Sequence, residues 1–365
     1  MKIKSDLSLN VLKIETGKDE LRYQEIVSEF KFRNPFNSLQ FIRKTKEDDH
    51  TLHCFVLNRS NVPVVLMPVY LRPVYIEGTK SVYKDATSPY GYSGPMYDPD
   101  IDNESLDFFW KEVDNWYIDN DVITEFVRFN LDYNYRCYTG YLDPSLVNVR
   151  GKLRPIDDIW ENFKQKVRNN VRRALKNDLR FEIFYGDINP EILSTCRSIY
   201  IRTMERNLAD EKYFFSESFF KKFELLAKEN PKNCAIAFVY KENTPISTEI
   251  MLLSERSIYS YLGGTESEYF GLRPNDFLKY STMKWGHSIG KKYYVLGGGR
   301  ENKDGLYAYK KSFYPKDQDV LYYTGRKVIN EKVYRSLISD GNDLNDAQLE
   351  HRIVNTYFPA YRANE

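Results

Sequence analysis

At 365 residues, 42% hydrophobic and 29% charged, the chain is long enough for two domains and has the composition of a soluble globular protein. Its 53 basic and 52 acidic residues leave a net charge of +1, which excludes a DNA-binding protein held by a global positive field and leaves room for a local basic patch. No apolar run approaches the roughly 18 residues of a membrane span. The start, "MKIKSDLSLN", lacks the apolar centre of a secretory signal, and Cys54, Cys137, Cys196 and Cys234 form no CxxC pair, so reduced thiols in a cytoplasmic protein are expected.

In chain order, helical periodicity runs over 19–30 and about 38–44, followed by β-rich runs at 51–58 and 63–74. A turn-rich segment, "SPYGYSGPMYDPD", leads into a helix near 104–118 and the strand "VITEFVRF". The connector "VRGKLRPIDD" suggests a domain boundary near residue 151. Helices are then expected at 158–177, 190–206 and 217–228, and strands at 234–240, 246–253 and 257–262. "RPNDFLKYSTMKWGHSIG" reads as a helix with Pro274 at its first position and Gly290 at its stop. "KKYYVLGGG" closes as a strand, and 318–365 adds a strand and a helix that could return to the first domain. Helices, strands, helix, strand thus occur twice, which predicts two α/β domains rather than one continuous sheet.

The stretch "LGGGRENKDGLYAYKKSF" (296–313) raises the functional question. It matches neither GxxxxGK[ST] nor GxGxxG, so it is no nucleotide loop of those types, and GxSxG is absent. The four histidines, 50, 53, 287 and 351, lack metal-ligand spacing, so no metal is expected. His287 reads as a packed or solvent-edge side chain. In "NFKQKVRNNVRRALKND" (162–178), Phe163, Val167, Val171 and Ala174 have the spacing of a buried helix face. Lys164, Arg168, Arg172 and Lys176 form a basic stripe beside it, either a solvated face or a guide for a polyanion. In "SPYGYSGPMYD" (88–98), the glycines either build a rigid turn or let the backbone approach a ligand on which Tyr90 and Tyr92 stack, with Asp98 close by. The excess of tyrosine, 30 against 22 phenylalanines, suits polar grooves or reflects codon usage.

From about residue 36, and most strongly over 160–325, these stretches resemble the FemABX peptidyltransferases and their acyltransferase relatives. Tyr90, Gly94, Pro95 and Asp98 fall in register with that group's Y-x-P-R-G-P-x-x-D, while Tyr92 and Ser93 stand where it has proline and arginine. Helix 162–176 is similar to its K-x-R-x-x-I-x-x-A-x-K, and Arg206 in "IRTMERN" to its T-x-x-R. "GLYAYKKSF" resembles G-L-Y-x-F-K-x-x-F and sets Tyr309 and Lys310 on the acceptor-site pair. Lys44 is a loose candidate for W-x-x-K. "PYGYSGP", "PISTEIML", "YLGGT" and "RPND" look closest to a branch found among bacterial surface-polysaccharide proteins.

The resemblance implies an α/β chain of two tandem GNAT-like domains, with mixed sheets flanked by helices: 1–150 plus 318–365, and 151–317. Tyr309 and Lys310 would enter a groove between them. It implies an N-acyl or aminoacyl transferase acting on the amine of a nucleotide- or lipid-linked envelope precursor, plausibly an amino sugar. Peripheral membrane contact is compatible with the lipid-linked case, and no DNA is involved. No tightly bound cofactor is expected; the donor would be acyl-CoA or aminoacyl-tRNA. Lys310 would neutralise a phosphate or oxyanion, and Asp98 or Glu249 would take the amine proton. Arg206 would grip a diphosphate, and Arg168, Tyr90, Tyr92 and Tyr309 would contact substrate. Lys311, about 100° around the helix from Lys310, would be silent. Glu266 and Glu268 sit at the turn where GNAT enzymes hold pyrophosphate, so weak CoA binding is expected there. Alternatives are a peptidoglycan cross-bridge aminoacyltransferase, a transferase acting on protein N-termini, and a nucleotide-sugar binding protein without turnover.

Overall fold

The computed structural model describes residues 7–43, 49–339 and 344–363, so Lys44 lies outside the described residues. The chain divides into two compact units, one drawn from 1–145 and 321–365, the other from 146–320.

In the first unit, β1 (Leu7–Ile14) leads to α1 (Gly17–Glu29). Thr16 and Asp19 cap that helix reciprocally, each side chain accepting the other's backbone N–H. After α2 (Leu39–Ile42), the strands β2 (Thr51–Arg59), β3 (Val62–Ile76) and β4 (Thr79–Thr87) each run antiparallel to the strand before. The next strand, β5 (Val122–Arg128), is parallel to β4, which demands a crossover. Helix α3 (Asn103–Asp119) provides it and buries Leu106, Phe109, Trp110, Val113 and Tyr117, its helical-period stripe, against the sheet.

Strand β6 (Tyr141–Lys152) is divided between the units, with Tyr141–Ser145 in the first and the rest in the second. Residues 149–152, expected as a connector, are therefore strand. The arginine and lysine there alternate with Val149 and Gly151, a period-2 pattern that the Gly and Pro punctuation masked.

The second unit continues with α4 (Ile156–Asn162), α5 (Gln165–Leu175), β7 (Leu179–Tyr185), α6 (Pro190–Arg206) and α7 (Glu217–Glu229). Strands β8 (Cys234–Lys241), β9 (Thr244–Leu253) and β10 (Ser257–Thr265) follow, then α8 (Pro274–Ser288), β11 (Tyr293–Gly297) and α9 (Gly305–Lys311). The single helix expected over 158–177 is broken at Phe163 and Lys164. Phe163 turns into the core beside Trp160 and Tyr280, and the Lys164 N–H donates to the Ser312 carbonyl. The chain then re-enters the first unit through β12 (Val320–Val328), α10 (Glu331–Ile338) and α11 (Asp346–Asn355). Tyr334, Ile338 and Leu349 pack there with Val74 and Ile123.

The expectation of two domains without a continuous sheet is corrected: the strands follow one 12-stranded order, β1-β2-β3-β4-β5-β12-β6-β11-β10-β9-β8-β7, in which β6 belongs to both units. The second unit's parallel pair, β10 and β11, is the feature that positions the site. Ser257–Tyr259 pair with Tyr293–Val295, after which β10 runs on to Thr265 beside β9 alone. Beyond Tyr259 the two strands part.

Gly151 lies under the ring of the buried Tyr314, and a methyl group there would collide with three ring atoms. Gly151→Ala should cost about 1–3 kcal/mol by overpacking, read as a lower thermal midpoint. Gly17→Ala, in open space at the first position of α1, should be neutral or slightly stabilising.

Candidate active site

Glu249 lies on the β9 face that it shares with Met251 and Leu253, in the core beneath α8, and is 2% exposed. A carboxylate in such a layer needs donors, and three elements supply them. Ser260 of β10 and Lys279 of α8 donate to Oε1, and the Tyr294 hydroxyl of β11 donates to Oε2. Lys279 also reaches the Ser260 hydroxyl at 3.0 Å and the Tyr294 hydroxyl at 3.3 Å. Burial and the Glu249 charge push the Tyr294 hydroxyl pKa well up, so it stays protonated and donating. Glu249 was expected as a proton acceptor for the amine. Its position corrects that role, because both oxygens are occupied and the group is sealed from solvent. Lys279, Ser260 and Tyr294 escaped the sequence reading, although a lysine among the buried Phe277, Leu278 and Met283 carried the signal.

Tyr309 and Lys310 come to the same cluster from α9. The Tyr309 hydroxyl accepts from Asn275 Nδ2 at 2.9 Å, and its ring stands edge-on to Phe313. Burial first, then Asp276 and Glu249, raise its pKa strongly. Lys310 Nζ donates to the Gly298 carbonyl at 2.6 Å, at the end of β11. Burial and the Lys279 charge lower its pKa to about 8, against the opposing pull of Glu249 and Asp304. Lys311 is no silent neighbour. It bonds the Asp317 carbonyl and pairs with Asp319 at 2.8 Å. The loop between β11 and α9 folds around an anion of its own: the Asp304 carboxylate accepts from the backbone N–H groups of Arg300, Glu301 and Tyr307.

Arg206 ends α6, donates to the Thr265 carbonyl at 2.8 Å and covers the Phe270 ring. It is exposed beside the turn 266–273 that enters α8. In that turn Glu266 is held by Arg202, so its charge does not oppose phosphate. Helix α8 opens with Pro274 at its first position and no side-chain cap on its first amides. Arg168 does not serve as a free guide. Its guanidinium bonds the Phe163 carbonyl and Gln165 Oε1, closing the start of its own helix.

Tyr90, Tyr92 and Asp98 belong to the first unit. Tyr90 is 75% exposed. Tyr92 stands edge-on between Phe36 and Tyr322. Asp98 is partly exposed and accepts from the Phe32 N–H at 3.4 Å. The glycine at 91 has φ +98°, and the Phe36 ring occupies the space of a side chain there, so this turn is built for packing. His287 is exposed in the last turn of α8, and among the described residues no group of His, Cys, Asp and Glu could hold a metal.

Residues 161–311 match the family described as "Acetyltransferase (GNAT) domain", a span that includes Glu249, Lys279, Tyr294 and Lys310. No curated protein matches the sequence. The fold is similar to the solved structure of FemX, with TM-score 0.64 and 14% identity over 89% of this chain and 99% of that one. It is also similar to L-PGS from Bacillus licheniformis (TM-score 0.55, 14% identity, 85% and 92% covered). The C-terminal domain of a putative lysylphosphatidylglycerol synthetase from Agrobacterium fabrum gives TM-score 0.54 at 11% identity, with 93% and 99% covered. At these identities the likeness is one of fold. With the GNAT match over residues 161–311, the second unit carries both the fold and the family signature of a GNAT acyltransferase domain.

Removing Lys279 should leave the Glu249 carboxylate buried without its cation. Lys279→Met is expected to lose about 3–5 kcal/mol in urea unfolding. Adding Glu249→Gln to it should restore most of that loss.

Proposed function

We propose that this acyltransferase moves an acyl or aminoacyl group directly onto the amine of a nucleotide- or lipid-linked cell-envelope precursor, with an amino sugar as acceptor. The observation that carries the reading is Lys310, a half-buried ammonium fixed by one carbonyl beside a carboxylate already taken by Lys279. It is a positive charge left for a phosphate or a developing oxyanion.

The chemistry needs no enzymic nucleophile. The neutral amine attacks the donor carbonyl, the carbonyl electrons move to oxygen, and collapse expels the thiolate of acyl-CoA or the ribose oxygen of aminoacyl-tRNA. The proton that the amine sheds ends on the expelled thiolate or ribose oxygen, which balances the step. An acyl-cysteine route has no support: Cys54, Cys196 and Cys234 are buried, and burial raises all four thiol pKa values, Cys137 to about 11. Arg206 keeps exposed nitrogens for a diphosphate. Acyl-CoA is the donor we favour, because Glu266 is neutralised by Arg202 and the first amides of α8 are uncapped.

Incubation with acyl-CoA or aminoacyl-tRNA and a uridine-diphosphate amino sugar, read by mass spectrometry, tests the assignment. Acylated sugar formed from CoA supports it. Product formed from tRNA alone favours the cross-bridge alternative, and binding without product from either donor favours the inactive one.

Lys310→Met should lower transfer about 10²–10³-fold. Its melting temperature at pH 7 should be unchanged or higher, since a buried, poorly paired ammonium is removed. A cationic role also fixes the pH dependence: the Lys310 contribution to rate should fall as pH rises through about 8. Stability runs the other way. Between about 8 and the ordinary 10.5, the folded protein has released this proton and the unfolded chain has not, so this group's contribution to stability rises with pH. Comparing the melting temperatures of wild type and variant from pH 7 to pH 10 checks the sign.

A further inference from the structure

Arg128 of the first unit is a partly buried cation with no carboxylate partner among the described residues. Arg128 ends β5 on the face that carries Thr124 and Phe126. The C-terminal segment covers that face as far as Phe126, through Tyr361 on Thr124 and Phe358 on Phe126. Arg128 comes next and is only partly buried.

Its position is firmly set. Nη1 donates to Thr87 Oγ1 at 3.3 Å and to the Ser88 carbonyl at 3.1 Å, and the backbone N–H donates to Ser88 Oγ at 2.8 Å. The guanidinium lies 4.8 Å from the Phe126 ring centre and 5.9 Å from that of Tyr90. Four other partly or fully buried arginines face carboxylates: Arg72 and Arg362 share Asp85, Arg326 has Asp143 and Arg154 has Asp317. Among the described residues no carboxylate pairs with Arg128. The ionisable groups around it are Arg72, Tyr90, Tyr322 and Tyr357, and burial together with the Arg72 charge lowers its pKa.

With Nη1 anchored, Nε and Nη2 make no hydrogen bond to the protein among the described residues. Those two nitrogens form one planar edge of the guanidinium, the edge that takes two oxygens of one anion. The Tyr90 ring stands exposed beside it. The Tyr322 hydroxyl, close enough to act on the Arg128 charge, donates to the Gly91 carbonyl at 3.3 Å.

We propose that Arg128 anchors an oxyanion site in the first unit, taking a phosphate of a sugar- or nucleotide-bearing molecule whose ring stacks on Tyr90. Leaving a desolvated guanidinium unpaired is costly, and a bidentate phosphate removes that cost. A nucleotide- or lipid-linked acceptor carries such a group, so the assignment deepens the function proposed above and rests on it for the identity of the ligand.

Calorimetric titration of the whole chain with uridine diphosphate, and separately with glucuronate, tests the site. Uridine diphosphate should bind and glucuronate should bind more weakly; the reverse order would overturn the phosphate assignment. Arg128→Lys, which keeps the charge and loses the planar edge, should weaken uridine diphosphate binding about tenfold or more. Tyr90→Ala, at an exposed position that leaves folding intact, should weaken it severalfold. Unchanged affinity in both variants, or no saturable binding of either probe at about millimolar concentrations, would overturn the proposal. If Lys310→Met loses transfer while Arg128→Lys binds like wild type, the transferase reading stands and this site fails. If Arg128→Lys loses affinity while Lys310→Met transfers normally, the outcome is reversed.

Discussion

Keeping one carboxylate charged inside an apolar layer is the constraint around which the second unit is built. Glu249 on β9 takes its donors from β10, β11 and α8. No single element could satisfy it, so the charge locks the helix onto three adjacent strands. Ser260 is the first residue of β10 beyond its pairing with β11, at the point where the parallel strands part. A gap in a sheet exposes polar groups that need partners, and here the side-chain network gathers at that gap. A buried pair of this kind adds little net stability over an apolar core, but it fixes geometry.

That geometry explains the state of Lys310. Two ammonium groups lie close to one carboxylate, and Lys279 holds the direct contact. Lys310 is left with the Gly298 carbonyl, the repulsion of Lys279 and partial burial, and its pKa falls to about 8. A lysine poised in this way still carries charge at neutral pH, and among the described residues no carboxylate pairs with it directly.

The sequence carried the element types well and the contacts poorly. Helices α1, α3, α6, α7 and α8 and strands β8 to β11 stand out in it because their apolar residues keep a clean period, with side-chain caps opening the first four helices and Pro274 opening α8. Strands β1, β4 and β7 escaped because their burial alternates weakly and charged residues interrupt them, as in "LRFEIFY". Glu249 and Lys310 were visible as charges set among apolar or aromatic neighbours. What joins them, Lys279 and Tyr294, depends on a helix and a strand meeting across the sheet, and neither residue announces its partner along the chain. The basic stripe misled for a related reason. Composition shows that Arg168 is cationic, and only the break at Phe163 shows which carbonyls it closes.

The two units solve the same electrostatic problem with different residues. In each, a parallel strand pair is made by a crossover helix, α3 between β4 and β5 and α8 between β10 and β11. In each, a fully buried carboxylate lies on a strand of that region, Asp85 on β4 and Glu249 on β9, and is occupied by its neighbours. Asp85 is taken by Arg72 and Arg362, Glu249 by Lys279, Ser260 and Tyr294. In each, one further cation reaches the end of the parallel pair and finds only neutral oxygens: Thr87 and Ser88 for Arg128, Gly298 for Lys310. Folding alone gives no reason to retain an unpaired charge where a hydrophobic or neutral polar residue would cost less. The same imbalance recurs in both units, reached through different side chains.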